Sequence, residues 1–401
     1  MTVERRLRVL NLVANRWWTG SADPALRLTL ALRARGHHAL LGLAPGDKFE
    51  AMAREAGVEP VEGLHLDARS GPAAVLSDLR RLRRLVRDEG LDVIHVHHSH
   101  DHWLGWWSRG RSALVRSYHN ERSVRRGWPT SRLYRVSQAL VAVSRGVEEK
   151  LIAAGAPARS VHRVPGVVDT ARFAPDSRGA AKIREEFQVA SAPLIGCVAR
   201  LAAGRGHEVL LEGFRLLRRE RPDARLLLIG KGERRPALEA AIKSLGLEAS
   251  ALLAGYRDTD LPAVLHALDI FVLLGAGSDE SCRAALEAMA AGRPVVAARV
   301  GALSEAVVHG ETGILLEQVS SEHVAAALRR LIEHPHEARA MGEAGHRRAL
   351  GRFSPDSHAR RFEEIYMAAL ASSRQIGQRN RASSNRWGGP GEERRSLPPG
   401  T

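Results

Sequence analysis

Asp269-Ile270-Phe271-Val272-Leu273-Leu274, followed by Gly277-Ser278-Asp279-Glu280-Ser281-Cys282-Arg283-Ala284-Ala285-Leu286-Glu287-Ala288-Met289-Ala290-Ala291-Gly292-Arg293-Pro294-Val295-Val296, reads as strand, loop, helix and strand. The apolar run at 269–274 has strand length. The Ala-rich stretch reads as a helix, stopped by Gly292 with Pro294 just beyond. Asp279 and Glu287 stand eight apart. That spacing places Asp279 in the loop ahead of the helix and Glu287 about two turns along it. The helix start, at Cys282 and Arg283, leaves N–H groups free for an anion. Two carboxylates beside such a terminus suit a nucleotide-sugar, with its phosphates on the amides and its hydroxyls on the acids. An ordinary βαβ unit with solvated acids has the same spacing.

Outward from this stretch the chain alternates strand and helix, which predicts parallel sheets covered by helices. Strands are expected at Leu7–Val13, Ala39–Leu43, Val93–Val96, Ala113–Tyr118 and Leu140–Val143. After a loop-like Pro165–Pro175 the pattern restarts at Leu194–Val198 and continues at 225–229, 251–254, 269–274 and 294–298. Helices are expected at 24–35, 76–88, 145–154, 207–220, 234–245, 261–267, 282–291, 321–333 and 335–350. An amphipathic helix over Ser354–Ser372 closes the pattern, with Phe362, Ile365, Tyr366 and Ala369 on one face. The fold class is α/β, two Rossmann-like domains facing a cleft, with ligands beyond the carboxyl ends of the strands. The expected domains are 1–166, joined by the helix at 354–372, and 167–353. The Arg-, Ser-, Gly- and Pro-rich stretch 373–401 is expected to be a disordered basic tail.

At 401 residues with 44% hydrophobic content, two domains are the natural expectation. Aromatics make up only 4%, so the cores rest on Leu, Val, Ala and Ile. No apolar run approaches bilayer length, and the N-terminus lacks the apolar centre of a signal peptide, so a cytoplasmic protein is expected. Two cysteines give neither a disulfide framework nor a metal spacing, and no metal or cofactor is expected. The net charge of +15, nearly all of it Arg, favours phosphorylated ligands or an anionic membrane. No nucleic-acid-binding pattern is present, and nucleic acid is not expected as a partner. Arg80-Arg81-Leu82-Arg83-Arg84-Leu85-Val86-Arg87 reads as a helix with an apolar stripe and a charged outer face, the latter a candidate for the membrane's inner surface.

Several further residues are candidates for chemistry. Arg200 and Arg205 bracket a short loop after a strand and could clamp a pyrophosphate; solvated loop arginines are the plainer alternative. Gly20, after strand one, allows close backbone approach to a phosphate or sugar, or serves a simple turn. Glu233 follows Gly230-Lys231-Gly232, which also reads as a strand-to-helix turn. His95, His97, His98, His100 and His102 cluster around Asp101. Structural or acceptor-contact roles are expected of them ahead of a metal site. His119 ends a strand. Glu305 is expected to cap the following helix.

The motif at 279–287 resembles the glutamate-x7-glutamate signature of the retaining GT-B glycosyltransferases, the family 4-like, group 1 enzymes. The resemblance extends over Val115-Arg116-Ser117-Tyr118-His119, Ala142–Val147, Val164–Pro175, Gly196–Leu201, Arg205-Gly206-His207 and Leu228–Glu233, in the family's order. It implies the GT-B architecture with the last helix crossing back to the N-terminal half. It implies a nucleoside-diphosphate sugar donor and a glycan or lipid-linked acceptor, as in lipopolysaccharide or exopolysaccharide biosynthesis. By the same resemblance Glu287 holds the ribose and Asp279 the donor sugar, with His119 facing that sugar. Arg200 and Arg205 neutralise the pyrophosphate, and Glu233 lies beside the base. The chain departs from the pattern at Asp279 for Glu, at Glu280-Ser281-Cys282 for glycine-aromatic-glycine, at Arg205 for Lys, at Thr19-Gly20 for paired glycines and at Pro165-Gly166-Val167 for Pro-Asn-Gly. A nucleotide-sugar epimerase of the same fold and a non-catalytic nucleotide-binding relative share these features and stand as alternatives.

Overall fold

The structure, a computed structural model, describes residues 5–18, 20–67, 69–174, 176–275 and 282–384. The N-terminal half runs β1 (Arg8–Val13), α1 (Ala22–Ala34), β2 (His38–Leu43), α2 (Lys48–Glu55), α3 (Gly71–Asp88) and β3 (Val93–Val96). It continues with α4 (Ser99–Ser108), β4 (Ala113–Tyr118), α5 (Trp128–Val136), β5 (Ala139–Ala142), α6 (Arg145–Ala153) and β6 (Val161–Arg163). The C-terminal half runs α7 (Ser177–Glu186), β7 (Leu194–Val198), α8 (His207–Arg218), β8 (Arg225–Ile229), α9 (Arg235–Ser244), β9 (Ala251–Gly255) and α10 (Leu261–Ala267). Then come β10 (Ile270–Leu273), α11 (Arg283–Ala290), β11 (Val295–Ala298), α12 (Leu303–Ala306), β12 (Gly313–Leu316), α13 (Ser321–Glu333), α14 (Pro335–Arg348) and α15 (Pro355–Ser384).

Two six-stranded sheets result, ordered β2-β1-β3-β4-β5-β6 and β12-β11-β10-β7-β8-β9. Every strand pair in them is parallel. Both faces of each sheet are covered. Val9 packs toward α1 and α15, whereas Leu10 and Leu12 pack with Leu82 and Leu104. Phe271 and Leu273 likewise face α10 and α11, and Ile270 and Val272 face α8 and α13. Burial on both sides explains why these strands read as apolar runs without alternation. The order of each sheet reverses once, between β1 and β3 and between β7 and β10. Parallel sheets open a crevice at such a point, because the flanking crossovers leave to opposite faces.

Helix α15 follows the C-terminal half in the chain yet buries Phe362, Ile365, Tyr366 and Ala369 in the N-terminal core. The Tyr366 hydroxyl is 2.8 Å from His95 Nδ1. Arg35 pairs with Glu363 and Asp356 at 2.5 and 2.7 Å and pins the helix to the end of α1. The helix extends to Ser384, past the expected end at Ser372, because Gln, Arg and Ala sustain it and no proline intervenes. The remainder of the basic tail lies outside the described residues. Edge strands β6 and β12 were not expected. Both are short, and only pairing with β5 and β11 makes them strands. Helices α2, α4, α5 and α7 were also not expected, since polar residues hide their period. Helix α4 lies in what reads as a His-rich loop.

Removing the Tyr366 ring should cost about 3–5 kcal/mol, as for a buried aromatic. Removing only its hydroxyl should cost about 1–3 kcal/mol by stranding His95 Nδ1. Urea titrations of Tyr366→Ala and Tyr366→Phe measure both; a Tyr366→Phe midpoint equal to the parent's would show that the hydroxyl contributes no net bond.

Candidate functional site

A cleft of about 920 Å³ lies over the carboxyl ends of β7, β8 and β10 and faces α1 and α2 of the N-terminal half. Six residues singled out from the sequence line it: Arg200, Arg205, Glu233, Cys282, Arg283 and Glu287. Asp279 lies outside the described residues. Gly20 occupies the turn that leads into α1. His119 instead faces a small cavity of about 20 Å³, beside His95, His97 and His358.

The loop from Arg200 to Gly206 follows β7 directly. His207, the first residue of α8, is buried, and its Nε2 lies 3.1 Å from the Arg200 carbonyl. An imidazole nitrogen facing a carbonyl donates, so this bond holds the loop closed from beneath. The role is invisible in sequence except as a histidine at a helix start. Gly230 presses against the same loop at φ +153°; a Cβ there would meet the Ala199 carbonyl. Glycine is therefore required where the β7 and β8 loops touch. Arg200 extends to Glu233 at 3.1 Å. Arg205 is held below its ordinary pKa, first by burial and then by Arg200. Two guanidinium groups close enough to repel make a place for an anion.

Helix α11 begins at this cleft. Its N-cap Cys282 is buried at φ +53° and ψ +41°, a left-handed conformation that favours glycine. That explains the glycine of the resembled pattern. Glu287 lies on the first turns of α11 and is 9% exposed. Burial, ahead of every other cause, raises its pKa, while Arg283 opposes the rise. Arg283 Nε stands 3.5 Å from Glu287 Oε1. The helix terminus, Arg200, Arg205 and a buried carboxyl thus converge at one end of the cleft.

The N-terminal wall is organised by Asp101, which is fully buried. Its carboxylate accepts N–H bonds from Ala14 at 3.0 Å, His97 at 3.2 Å and His98 at 2.7 Å. The ends of β1 and β3 and the start of α4 are thereby tied together. The His-rich cluster divides into separate structural roles. His95 bridges Tyr366 and Ser117. His98 Nε2 is 3.0 Å from the Ser21 hydroxyl at the start of α1. His102 Nδ1 accepts from the buried Arg116 at 2.8 Å, so its Nε2 donates to Ser137 at 2.8 Å. His97 and His119 stack, with Nδ1 of the first 3.0 Å from Nε2 of the second. Burial holds His119 at a pKa of about 3, so it is neutral. Among the described residues no group of His, Cys, Asp and Glu is arranged to hold a metal ion.

Glu305 does not cap its helix. It accepts the Arg145 N–H at 2.6 Å and pairs with Arg163 at 3.2 Å, joining the two halves. The reason is position: α12 is one short turn, and its start faces the N-terminus of α6, which attracts the carboxylate. Lys48 and Asp258, 3.3 Å apart, make a second link between the halves.

Residues 180–348 match the family model for glycosyl transferases group 1, and residues 19–172 match that for glycosyltransferase family 4. The chain is 28% identical over 372 residues to the GDP-mannose-dependent alpha-(1-6)-phosphatidylinositol monomannoside mannosyltransferase of Mycolicibacterium smegmatis, covering 90% of each protein. It is 28% identical over 305 residues to the D-inositol 3-phosphate glycosyltransferase of Segniliparus rotundus, covering 69% of this chain and 66% of that protein. Among solved structures, a glycosyltransferase from Rickettsia africae aligns with a TM-score of 0.80 at 19% identity, over 91% of this chain and 99% of that one. Anabaena Alr3699/HepE in complex with UDP aligns with a TM-score of 0.77 at 21% identity, over 90% of this chain and 100% of that one. These two share the fold. No helix among the described residues is long and apolar enough to cross a membrane. Both halves match the same class of enzyme, and their facing parallel sheets carry a last helix that crosses back; the chain belongs to the GT-B group 1 glycosyltransferases and is a nucleotide-sugar-dependent glycosyltransferase.

Proposed function

We propose that the chain transfers a hexose, with retention of configuration, from a nucleoside-diphosphate sugar to a hydroxyl of a glycan or lipid-linked acceptor. The observation that carries this reading is the convergence of Arg200, Arg205, the α11 N-terminus and the buried Glu287 in one cleft. Departure of a diphosphate needs positive charge more than a strong acid. The arginines and the helix terminus supply it. Glu287 accepts from the ribose hydroxyls, and Asp279 from hydroxyls of the donor sugar. The acceptor oxygen bonds to the anomeric carbon on the face from which the phosphate oxygen leaves. The acceptor's proton passes to that departing oxygen. His119, stacked on His97, completes the sugar side from the N-terminal half once the halves approach. The Mycolicibacterium relative's name makes GDP-mannose the first donor to test.

A cytoplasmic, peripheral location fits the charge. Arg80, Arg83, Arg84 and Arg87 are exposed on α3, and Trp107 and Trp128 are 47% and 75% exposed on α4 and α5. The Arg83 Nε donates to the Trp107 carbonyl at 3.2 Å, so the two helices present one face. Arginines beside exposed tryptophans suit an anionic lipid surface. Vesicles rich in anionic lipid should sediment the protein at low salt and release it at high salt. Failure to sediment at low ionic strength would remove the membrane from this reading.

Glu287→Ala should weaken nucleoside-diphosphate binding by about 1.5–3 kcal/mol, roughly one to two decades. Asp279→Ala should keep that affinity and lose turnover instead. Calorimetric affinity measured beside turnover separates the two; the roles are wrong if Glu287→Ala binds like the parent or Asp279→Ala turns over like it.

Burial that raises the Glu287 pKa also has a stability cost. The neutral carboxyl is favoured by the fold, so no cost exists below the ordinary carboxylate range. The cost appears as pH rises through the raised value. Glu287→Gln should therefore raise the melting temperature of the unliganded protein near neutral pH, and the gain should disappear in acid. Equal gains at both pH values would show that charge burial is not the cause.

A further inference from the structure

Asp23 lies in the first turn of α1 and is 2% exposed, yet it forms part of the cleft wall opposite α11. Arg27 Nε grips one carboxylate oxygen at 2.9 Å, and Arg27 is itself held by Asp169 at 2.8 Å, in the connection between the halves. The other oxygen, Oδ2, makes no hydrogen bond of good geometry; Arg283 Nη1 stands 3.3 Å from it, across the cleft. Arg283 is the first residue of α11 and therefore sits where a diphosphate would meet the helix terminus. Its guanidinium is bracketed by two carboxylates, Asp23 from the facing half and Glu287 from its own helix. Arg200 is also paired, with a single carboxylate of its own half, Glu233. Two of the cations suited to phosphate, Arg283 and Arg200, are thus held by carboxylates of the protein.

We propose that Asp23 is the counter-ion of Arg283 in the empty enzyme, and that the donor's diphosphate displaces it. The inference rests on reading the cleft as the donor site. The displaced pair joins the two halves, so taking Arg283 from Asp23 also removes one of the links that set their separation. Asp23 cannot follow Arg283 outward, because Arg27 and Asp169 fix it to α1 and the connecting segment. Donor affinity is then lower than the phosphate site alone would give, by the cost of opening the pair.

The exchange has a distinctive sign. Asp23→Asn keeps the shape and removes the competitor, so GDP and UDP should bind more tightly, by roughly fivefold for a partly exposed ion pair. Guanosine and uridine, which lack phosphate, should bind as to the parent. Arg283→Gln should weaken GDP and UDP without affecting the nucleosides. In an Arg283→Gln background, Asp23→Asn should no longer tighten diphosphate binding. Unchanged or weaker diphosphate affinity in Asp23→Asn overturns the exchange. So does tightening that persists without Arg283, since that would be plain charge repulsion. Should Asp23→Asn fail to fold, Arg283→Gln alone carries the test: equal losses for nucleoside and diphosphate would overturn the proposal. Glu287→Ala serves as the control. If it weakens GDP or UDP while Asp23→Asn does nothing, only the exchange is lost; if the parent binds neither diphosphate, the donor reading fails with it.

Discussion

Phe362 and Tyr366 belong to a helix that follows the C-terminal half in the chain, and they are buried in the core of the N-terminal half. This burial is the constraint on which the rest of the molecule depends. A single connection through 164–174 would leave two parallel-sheet units free to pivot. A second crossing, anchored by two aromatic rings and the Arg35 ion pairs, holds them face to face. Each sheet has one point where its strand order reverses, and the cleft exists because those two points are held opposite one another. The phosphate-suited residues come from one side, and Asp23 and the tryptophan-containing β1–α1 turn from the other.

Behind that cleft the N-terminal half has a polar interior. Arg116, Asp101, His95, His97 and His102 are all buried, and burial keeps the imidazoles neutral. Each is spent on geometry. Asp101 fixes where β1 and β3 release the chain, and His95 joins β3 to α15. Buried polar groups of this kind specify one arrangement, because any other leaves donors or acceptors without partners. The N-terminal wall is thus shaped by hydrogen bonds, whereas the C-terminal wall is shaped by close backbone contact at Gly230 and by the helix terminus.

Ion pairs recur along the cleft. Despite the strongly basic composition, three of the cations there, Arg200, Arg283 and Lys48, each face a carboxylate. Pairing lowers the self-energy of the clustered arginines, and the acids that hold them range from the exposed Glu233 to the buried Asp23. Glu287 is different. It is buried against its own preference for water, a cost to stability of the kind that functional sites carry.

The sequence by itself determined the parallel α/β architecture, since apolar runs alternating with helical periods admit little else. It also determined the pairing of a helix N-terminus with Glu287, because Gly292 and Pro294 fix the helix end and eight residues fix the turn. The arginine loop was legible for the same reason, as a short segment between strand and helix. Three things were decided only in three dimensions. His119 entered a small cavity beside His97 and His358, because strand β4 ends beneath α15. Glu305 became a bridge between halves, because α12 faces the start of α6. Asp23 came to face Arg283 across the cleft, a contact between residues 260 positions apart. Local pattern records burial and periodicity, which each segment carries alone. Which charged side chains meet depends on how two separately folded sheets are held together, and that is set by the burial of α15.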